Sequence, residues 1–166
     1  MEIRAATICD LECIISILDS AREYQRLSGF NQWIDGYPSK GNVVKDIEAG
    51  GAMVIMAEKD VVGYAFLAIG DVAYEKLGDI WRFEGNYGVV HRLALSADVR
   101  GKGHSTEVLK LIENEYISSG INIIRVDTGR ENRIMQRIME KNGYELSGFH
   151  EFEWGWRLAY EKSIML

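Results

Sequence analysis

The residues most able to do chemistry in this chain lie around a basic, glycine-rich turn in its middle. An apolar stretch, Val89–Leu95, precedes the turn, and apolar residues at helical spacing follow it. The turn and the first residue after it are Arg100, Gly101, Lys102, Gly103, His104 and Ser105. The unpaired N–H groups at a helix start attract anions, and glycines let a turn aim such groups at one ligand. The segment therefore predicts a diphosphate site, to which arginine and lysine add positive charge.

Two other phosphate-binding turns do not fit this segment. A dinucleotide fingerprint, G-x-G-x-x-G, requires a third glycine where this chain has Thr106, and an acidic residue about 20 positions later. A nucleotide P-loop requires G-x-x-x-x-G-K-[ST], which occurs nowhere in the sequence. The turn must therefore belong to another class of protein.

The turn resembles motif A of the GNAT superfamily of acyl-CoA-dependent N-acyltransferases. That motif is arginine or glutamine, two residues, glycine, one residue, and then glycine or alanine. Arg100, Gly103 and Ser105 stand at these places. Serine is a departure at the last place, although it is small and its hydroxyl can cap the helix. The resemblance implies that the turn binds the pyrophosphate of coenzyme A.

A second segment resembles motif B of the same superfamily. In this family an asparagine opens a helix beside the pantetheine arm, and the helix closes with lysine, any residue, glycine and an aromatic residue. Asn132, Lys141, Gly143 and Tyr144 fit that pattern, with apolar residues at helical spacing between them. The resemblance implies that Asn132, Met135 and Lys141 contribute to the coenzyme A site.

The remaining pattern predicts the elements that position these motifs. Strands are expected at Glu2–Thr7, Ala52–Glu58, Val61–Ile69, Val89–Leu95, Asn122–Asp127, Glu145–Phe149 and Phe152–Tyr160. A long connection is expected from Gly70 to Asn86. The pattern predicts an α/β (α+β type) fold, with a mixed, largely antiparallel sheet of about seven strands and helices on both faces. The resemblance implies the same fold, with acyl-CoA lying between the fourth and fifth strands.

Length, composition and charge narrow the function further. The 166 residues include one proline, which predicts a single domain over residues 1–166. A net charge of −6 argues against nucleic acid or an anionic membrane as the main partner. No apolar signal core and no run of ~18 apolar residues is present, so a cytoplasmic protein is expected. Cys9 and Cys13 are expected to pack as reduced thiols, and no metal site is predicted.

The resemblance implies attack of a neutral amine on the thioester of acetyl-CoA, the co-substrate. The main chain of Leu93, Ala94 and Leu95 is then implied to hold the pantetheine. A lysine-like amine has a pKa of about 10.4 and must lose a proton before it attacks. His91 is the first candidate base, because alternation along the strand places it on the face of Leu93 and Leu95. A purely structural histidine is the alternative, and Glu84 in the preceding connection is the second candidate base.

The general acid is where the chain departs most from the family. Motif B usually carries a tyrosine seven residues after its asparagine to protonate the departing thiolate, and here that position is Met139. A thioether has no proton to donate, so the role is vacant, taken by water, or moved to Tyr144, Tyr87 or another side chain. An N-acetyltransferase acting on a small-molecule or peptide amine is the first function predicted. A coenzyme A-binding sensor with little or no catalysis, or an O-acyltransferase, is the alternative.

Aromatic residues supply the candidate contacts to the acceptor. Gln32, Trp33 and Tyr37 lie in an irregular stretch where packing explains large side chains less well, and they are the preferred acceptor contacts. Trp154 and Trp156 alternate as one face of the final predicted strand. The last strands of family members often pair across a dimer, so a homodimer through this face is a further expectation.

Overall fold

The computed structural model describes residues 1–30 and 32–164. Within these residues the strands are β1 (Glu2–Ala5), β2 (Ala52–Ala57), β3 (Asp60–Ile69), β4 (Gly88–Leu95), β5 (Ile123–Thr128), β6 (Glu145–Phe152) and β7 (Gly155–Ser163). The helices are α1 (Leu11–Leu27), α2 (Lys40–Glu48), α3 (Val72–Glu75), α4 (Ser105–Ser118) and α5 (Arg133–Lys141). None of the helices in this part of the chain has the length and apolar character needed to cross a membrane.

The seven strands form one mixed sheet in the order β1-β2-β3-β4-β5-β7-β6. The pairs β1–β2, β2–β3, β5–β7 and β6–β7 are antiparallel, whereas β4 and β5 are parallel. A parallel pair needs a long crossover, and α4 supplies it between β4 and β5. The predicted mixed, largely antiparallel sheet of seven strands is therefore confirmed.

Contacts divide the chain into two compact units, of which the first comprises Met1–Leu67 and His91–Leu111. Its core contains completely buried side chains from both helices and strands, among them Ile14, Leu18, Val43, Val54 and Tyr64. The apolar face of α1 repeats every three to four residues and packs into this core. This unit holds the second half of β4 and the glycine-rich turn.

The second unit comprises Ala68–Val90 together with residues 112–164. Its core is aromatic, with Tyr74, Tyr87 and Phe152 buried around Val89 and Ala159. Aromatic side chains bury large areas, so a few of them can fill a small core. This unit holds the loop that carries Glu84 and the motif B helix, α5.

The connection between β3 and β4 contains regular structure that the sequence analysis did not predict. It contains α3 and a 3₁₀ turn at Gly78–Ile80. The Asp71 side chain accepts the N–H of Ala73 at 2.8 Å and so caps α3. A helix of four residues is too short to show a helical period, which is why the pattern missed it.

The last hairpin also differs from the prediction. β6 continues to Phe152 and β7 begins at Gly155, so the last strand, expected near Phe152–Tyr160, is present but shifted to Gly155–Ser163. The chain reverses at residues 153–154, and Gly155, which follows them, has a φ of +104° that glycine adopts readily. Trp154 therefore lies in the turn and Trp156 in β7, and the two do not share the face of one strand.

Candidate active site

The glycine turn, residues 100–104, leads from the region after β4 into α4. Gly101 and Gly103 have φ angles of +76° and +88°, which residues with side chains rarely adopt. Both glycines and Lys102 are exposed. The first N–H groups of α4 have no acceptor within the helix, and the positive end of the helix dipole lies beside them. The turn therefore presents backbone donors and a lysine to solvent, as a diphosphate site requires.

Arg100 points back into the protein in this structure. Its Nη2 and Nε lie 2.9 and 3.3 Å from the carbonyl oxygen of Leu95, and Nη2 lies 3.4 Å from Ser20 Oγ. The guanidinium also stacks 4.7 Å from the ring centroid of Tyr24. Burial lowers the pKa of Arg100, and the nearby Tyr24 opposes that effect. These contacts fasten the turn to the end of β4 and to α1, and a grip on two phosphate oxygens stays a prediction.

His104 and Ser105 mark the beginning of α4. The carbonyl of His104 accepts a helical hydrogen bond from the N–H of Val108 at 3.0 Å. Ser105 is therefore already the first helical residue, and the expected capping role of its hydroxyl is wrong because the capping position falls on His104. His104 Nδ1 lies 3.5 Å from Glu107 Oε2. Contact of His104 and Ser105 with coenzyme A stays a prediction, with their backbone N–H groups as the donors.

β4 contains a bend at Arg92. This residue has a φ of +55°, in the left-handed region that side chains disfavour. The bend interrupts the strict alternation of side chains between His91 and Leu93. The alternation argument that placed His91 on the face of Leu93 and Leu95 therefore fails. The role implied for Leu93, Ala94 and Leu95 uses main-chain atoms, which the bend reorients but does not remove.

His91 is half-buried in the first unit. Its imidazole stacks on the ring of Phe66, with centroids 6.1 Å apart and planes at 23°. Stacking involves a face of the imidazole ring, whereas its hydrogen bonds are made by the two edge nitrogens. The ring is therefore held in a fixed orientation, and its role as the base stays a prediction.

The predicted acceptor contacts differ in how much surface they offer. Trp33 is only 9% exposed and belongs to the core of the first unit, so packing accounts for it. Tyr37 is 39% exposed, and its hydroxyl accepts a hydrogen bond from Arg92 Nη1 at 2.8 Å. Gln32 is half-buried. Of the three, Tyr37 offers the most surface to a ligand.

Glu84 lies in the second unit, in a loop that spans residues 81–87 and that we call the Glu84 loop. The Glu84 side chain is exposed, whereas two charged residues that the sequence analysis missed are buried beneath the loop. Glu161 of β7 is 0% exposed and Arg125 of β5 is 6% exposed. A charged residue inside an otherwise apolar strand, as in the run from Asn122 to Asp127, was the signal that could have found Arg125.

Glu161 holds the main chain of the Glu84 loop. One carboxylate oxygen accepts the N–H of Arg82 at 2.6 Å and the hydroxyl of Ser147 at 3.3 Å. The other oxygen accepts the N–H of Phe83 at 3.4 Å. A buried carboxylate is costly unless it is hydrogen-bonded, and here both oxygens have donors. The main chain directly before Glu84 is therefore held in place by these hydrogen bonds.

Arg125 holds the same loop from a second direction. Its Nη2 donates to the carbonyl of Phe83 at 2.9 Å. Its guanidinium lies 4.4 Å from the ring centroid of Trp81 and 3.8 Å from that of Tyr87. Burial lowers the pKa of Arg125, while Tyr87 and Glu161 act in the opposite direction. Both ends of the loop are therefore stacked on one buried cation.

The motif B segment folds as the predicted helix, α5. Asn132 precedes it, and the Oδ1 of Asn132 accepts the N–H of Met135 at 3.0 Å as an N-cap. At the other end Gly143 has a φ of +80°, and the N–H of Tyr144 bonds back to the last turn at 3.0 Å. Met135 is half-buried and Lys141 is exposed. The helix is confirmed, and contact of Asn132, Met135 and Lys141 with coenzyme A stays a prediction.

The two tyrosines considered as replacements for the missing acid have other surroundings. The hydroxyl of Tyr87 accepts the N–H of Asp71 at 3.2 Å and donates to the Asp71 carbonyl at 3.1 Å. Tyr144 is buried, and burial, with the nearby carboxylate of Glu113, raises its pKa well above the ordinary value. Met139 is buried as well. The replacement of the missing acid by Tyr87, Tyr144, another side chain or water stays a prediction.

Comparison with solved structures adds to this geometry. A GNAT-family acetyltransferase from Streptococcus agalactiae 2603 is 29% identical, with 99% of this chain and 96% of that chain covered and a TM-score of 0.90. An aminoglycoside acetyltransferase in complex with coenzyme A is 20% identical, with 98% and 94% covered and a TM-score of 0.72. A ribosomal-protein-alanine N-acetyltransferase from Brucella melitensis is 21% identical, with 98% and 99% covered and a TM-score of 0.69. The last two likenesses concern the fold alone.

Comparison with curated proteins and with family models shows which protein family the chain belongs to. No curated protein matches the chain. The model of the acetyltransferase (GNAT) family, however, matches residues 16–144, a range that includes β4, the glycine turn and α5. Because that match spans most of the sequence, the chain belongs to the GNAT family of acetyltransferases.

Proposed function

We propose that the protein transfers the acetyl group of acetyl-CoA to a primary amine by direct attack in a ternary complex. The observation that carries this proposal is the exposed turn with left-handed Gly101 and Gly103 at the beginning of α4. Its backbone donors, the helix dipole and Lys102 suit the pyrophosphate of coenzyme A. A solved structure of the same fold in complex with coenzyme A supports this choice of ligand.

The proposed reaction exchanges one bond for another at the acetyl carbonyl carbon. The amine nitrogen forms a bond to that carbon, the carbon–sulfur bond breaks, and coenzyme A leaves as a thiolate. Negative charge develops on the carbonyl oxygen in the transition state, where a backbone N–H group stabilises it. The main chain of Leu93–Leu95 supplies the candidate donors. The proton of the amine passes to a base, because only the free lone pair attacks.

His91 is our first candidate for that base, and Glu84 is the second. Imidazole is suited to accept protons at neutral pH, and the ring of His91 is held by its stack on Phe66. Glu84 is exposed, on a loop whose main chain is bonded to Glu161. The two candidate bases lie on different elements of the structure. Substituting each residue separately therefore shows which of them accepts the proton.

A coenzyme A-binding sensor is the second candidate function, and Met139 is the observation that favours it. A thioether stands where the family usually has a tyrosine acid, and Tyr87 and Tyr144 are both buried. General acid catalysis contributes on the order of 10²- to 10⁴-fold, so its loss slows the reaction without abolishing it. A thiol of pKa about 8.5 can also leave as a thiolate without an acid. We therefore favour a transferase over a sensor.

The acceptor is proposed to be a small-molecule or peptide amine. Two of the similar structures are those of enzymes named for amine acceptors, an aminoglycoside and a ribosomal-protein alanine. In this chain, Tyr37 is the most exposed of the three proposed contacts, and Gln32 adds a polar group. Pairing of two copies through the last strands stays a prediction.

Release of free thiol from acetyl-CoA tests the proposal. The purified protein is mixed with acetyl-CoA and, in turn, kanamycin, spermidine, lysine, a peptide that begins with alanine, and N-acetylserine as an acceptor with a hydroxyl but no amine. We expect thiol release that depends on an amine, together with the mass of one acetyl group added to that amine. Binding of acetyl-CoA without release would support the sensor, and release with N-acetylserine alone would support O-acylation.

A further inference from the structure

A buried ion pair in the first unit joins α2 to the bend in β4. Arg92 donates from Nε to Asp46 Oδ2 at 2.8 Å and from Nη2 to Asp46 Oδ1 at 2.5 Å. The hydroxyl of Tyr64 also donates to Asp46 Oδ2, at 2.6 Å. Asp46 is 4% exposed, and each of its oxygens has a donor. Such a pair is satisfied as it stands, whereas loss of one partner leaves a buried charge uncompensated.

The guanidinium of Arg92 is fixed on its other sides as well. Its Nη1 donates to the hydroxyl of Tyr37 at 2.8 Å, and its centre lies 4.9 Å from the ring centroid of Phe66. Burial lowers the pKa of Arg92, but the hydrogen bonds and electrostatic effects of Asp46 and Tyr37 outweigh that effect and raise it. A planar fork that is both paired and stacked has little freedom to rotate.

Arg92 is also the residue with the unusual backbone in β4. Its φ of +55° carries a conformational cost that surrounding contacts must offset. Leu93–Leu95 follow directly, and their main chain is the proposed contact with the acyl arm of acetyl-CoA. The direction in which their N–H and carbonyl groups point depends on the backbone of Arg92. The ion pair therefore acts on the residue with the left-handed backbone, directly before this main-chain segment.

We propose that Asp46 and Arg92 are positioning residues for acetyl-CoA. Their ion pair holds the left-handed bend, and the bend aims the main-chain groups of Leu93–Leu95 at the acyl arm. The proposal rests on the proposed function, because it requires acetyl-CoA to bind along β4. Tyr37, which is bonded to Arg92, connects the candidate acceptor contacts to the same pair.

Asp46→Asn is the variant that tests this role. In either orientation of the new amide, its NH₂ group faces a donor of Arg92 or Tyr64, so the pair is broken while the volume is kept. Asp10→Asn is the matched control. Asp10 is a buried carboxylate of the same unit whose two oxygens accept from Arg4 at 2.8 and 2.9 Å, far along the chain from β4.

Two ligands separate the contribution of β4 to binding from the contribution of the glycine turn. Isothermal titration calorimetry measures dissociation constants for acetyl-CoA and for adenosine 3′-phosphate 5′-diphosphate, which has the phosphates but lacks the pantetheine arm. We expect Asp46→Asn to weaken acetyl-CoA binding roughly tenfold and to leave nucleotide binding unchanged. Both variants are expected to lower the melting temperature. Asp10→Asn, however, is expected to leave the affinities for both ligands unchanged.

Several results would overturn the proposal. One is an unchanged acetyl-CoA affinity in Asp46→Asn. Another is an equal weakening of acetyl-CoA binding and nucleotide binding in that variant. A third is a selective loss of acetyl-CoA affinity in the control variant, Asp10→Asn. If the wild-type protein does not bind acetyl-CoA, the proposed function itself fails, and this inference fails with it. If Asp46→Asn does not fold, Arg92→Lys replaces it, because lysine keeps the charge beside Asp46 but loses the fork. Its acetyl-CoA affinity must then fall selectively for the proposal to stand.

Discussion

The glycine turn and the Glu84 loop hold their backbones in opposite ways. The turn uses left-handed glycines, and its centre is exposed to solvent. The Glu84 loop uses buried charge, with Glu161 accepting its N–H groups and Arg125 donating to one of its carbonyls. A ligand can therefore take the backbone donors of the turn, whereas Glu161 already occupies those at the start of the loop. The first arrangement suits binding of an anion, and the second suits precise placement of a side chain.

Gly103→Glu should give the largest effect, because it places a carboxylate where we expect the pyrophosphate. A Cβ at this position meets no protein atom within 4 Å, although any side chain is strained at a φ of +88°. Repulsion between charges about 4 Å apart predicts a loss of coenzyme A affinity on the order of a thousandfold, measured by calorimetry. Gly103→Ala is the control, since it has the same backbone strain without the charge. Equal coenzyme A affinities of the two variants would show that the pyrophosphate does not bind at this turn.

His91→Ala should come next, with a fall in kcat on the order of 100-fold and an acetyl-CoA affinity close to that of the wild type. The acidic arm of the pH–rate profile, where the rate rises as the base loses its own proton, should change as well, because that base is gone. His150→Ala, which removes a half-buried histidine of β6, serves as the control. If the profile changes in Glu84→Gln instead, the base lies on the Glu84 loop.

Glu161→Gln should cost about 2 kcal/mol of unfolding free energy, measured with urea. Both oxygens of Glu161 accept hydrogen bonds, so either orientation of a glutamine amide sets an NH₂ group against a donor. Glu145→Gln is the control, because Glu145 pairs with Arg82 at the surface and should contribute less than about 1 kcal/mol. A loss in Glu161→Gln no larger than that of the control would show that the loop is not held by buried charge.

The glycine turn and α5 could be predicted from the sequence because their determinants are local. Gly101 and Gly103 adopt positive φ angles, and Asn132 and Gly143 stand at the two ends of α5. Each of these residues acts within a few positions of its own place in the chain. The sheet was predicted for the same reason, since strands show their period directly.

The contacts that hold the segments around the candidate catalytic residues could not be predicted, because they join residues that lie far apart in sequence. Asp46 meets Arg92 across 46 positions, and Arg82 meets Glu161 across 79. Nothing local marks the left-handed backbone of Arg92, which breaks the alternation on which the placement of His91 relied. Trp33 was chosen as an acceptor contact because its stretch is irregular, but tertiary packing buries it.

Amide hydrogen exchange with and without coenzyme A tests the central claim most directly. We predict that amides of residues 103–106 exchange quickly in the free protein and become protected at saturating coenzyme A. The amides of Arg82 and Phe83, already bonded to Glu161, should exchange slowly in both states. If coenzyme A binds and the amides of residues 103–106 exchange at the same rate as before, the glycine turn is not its phosphate site.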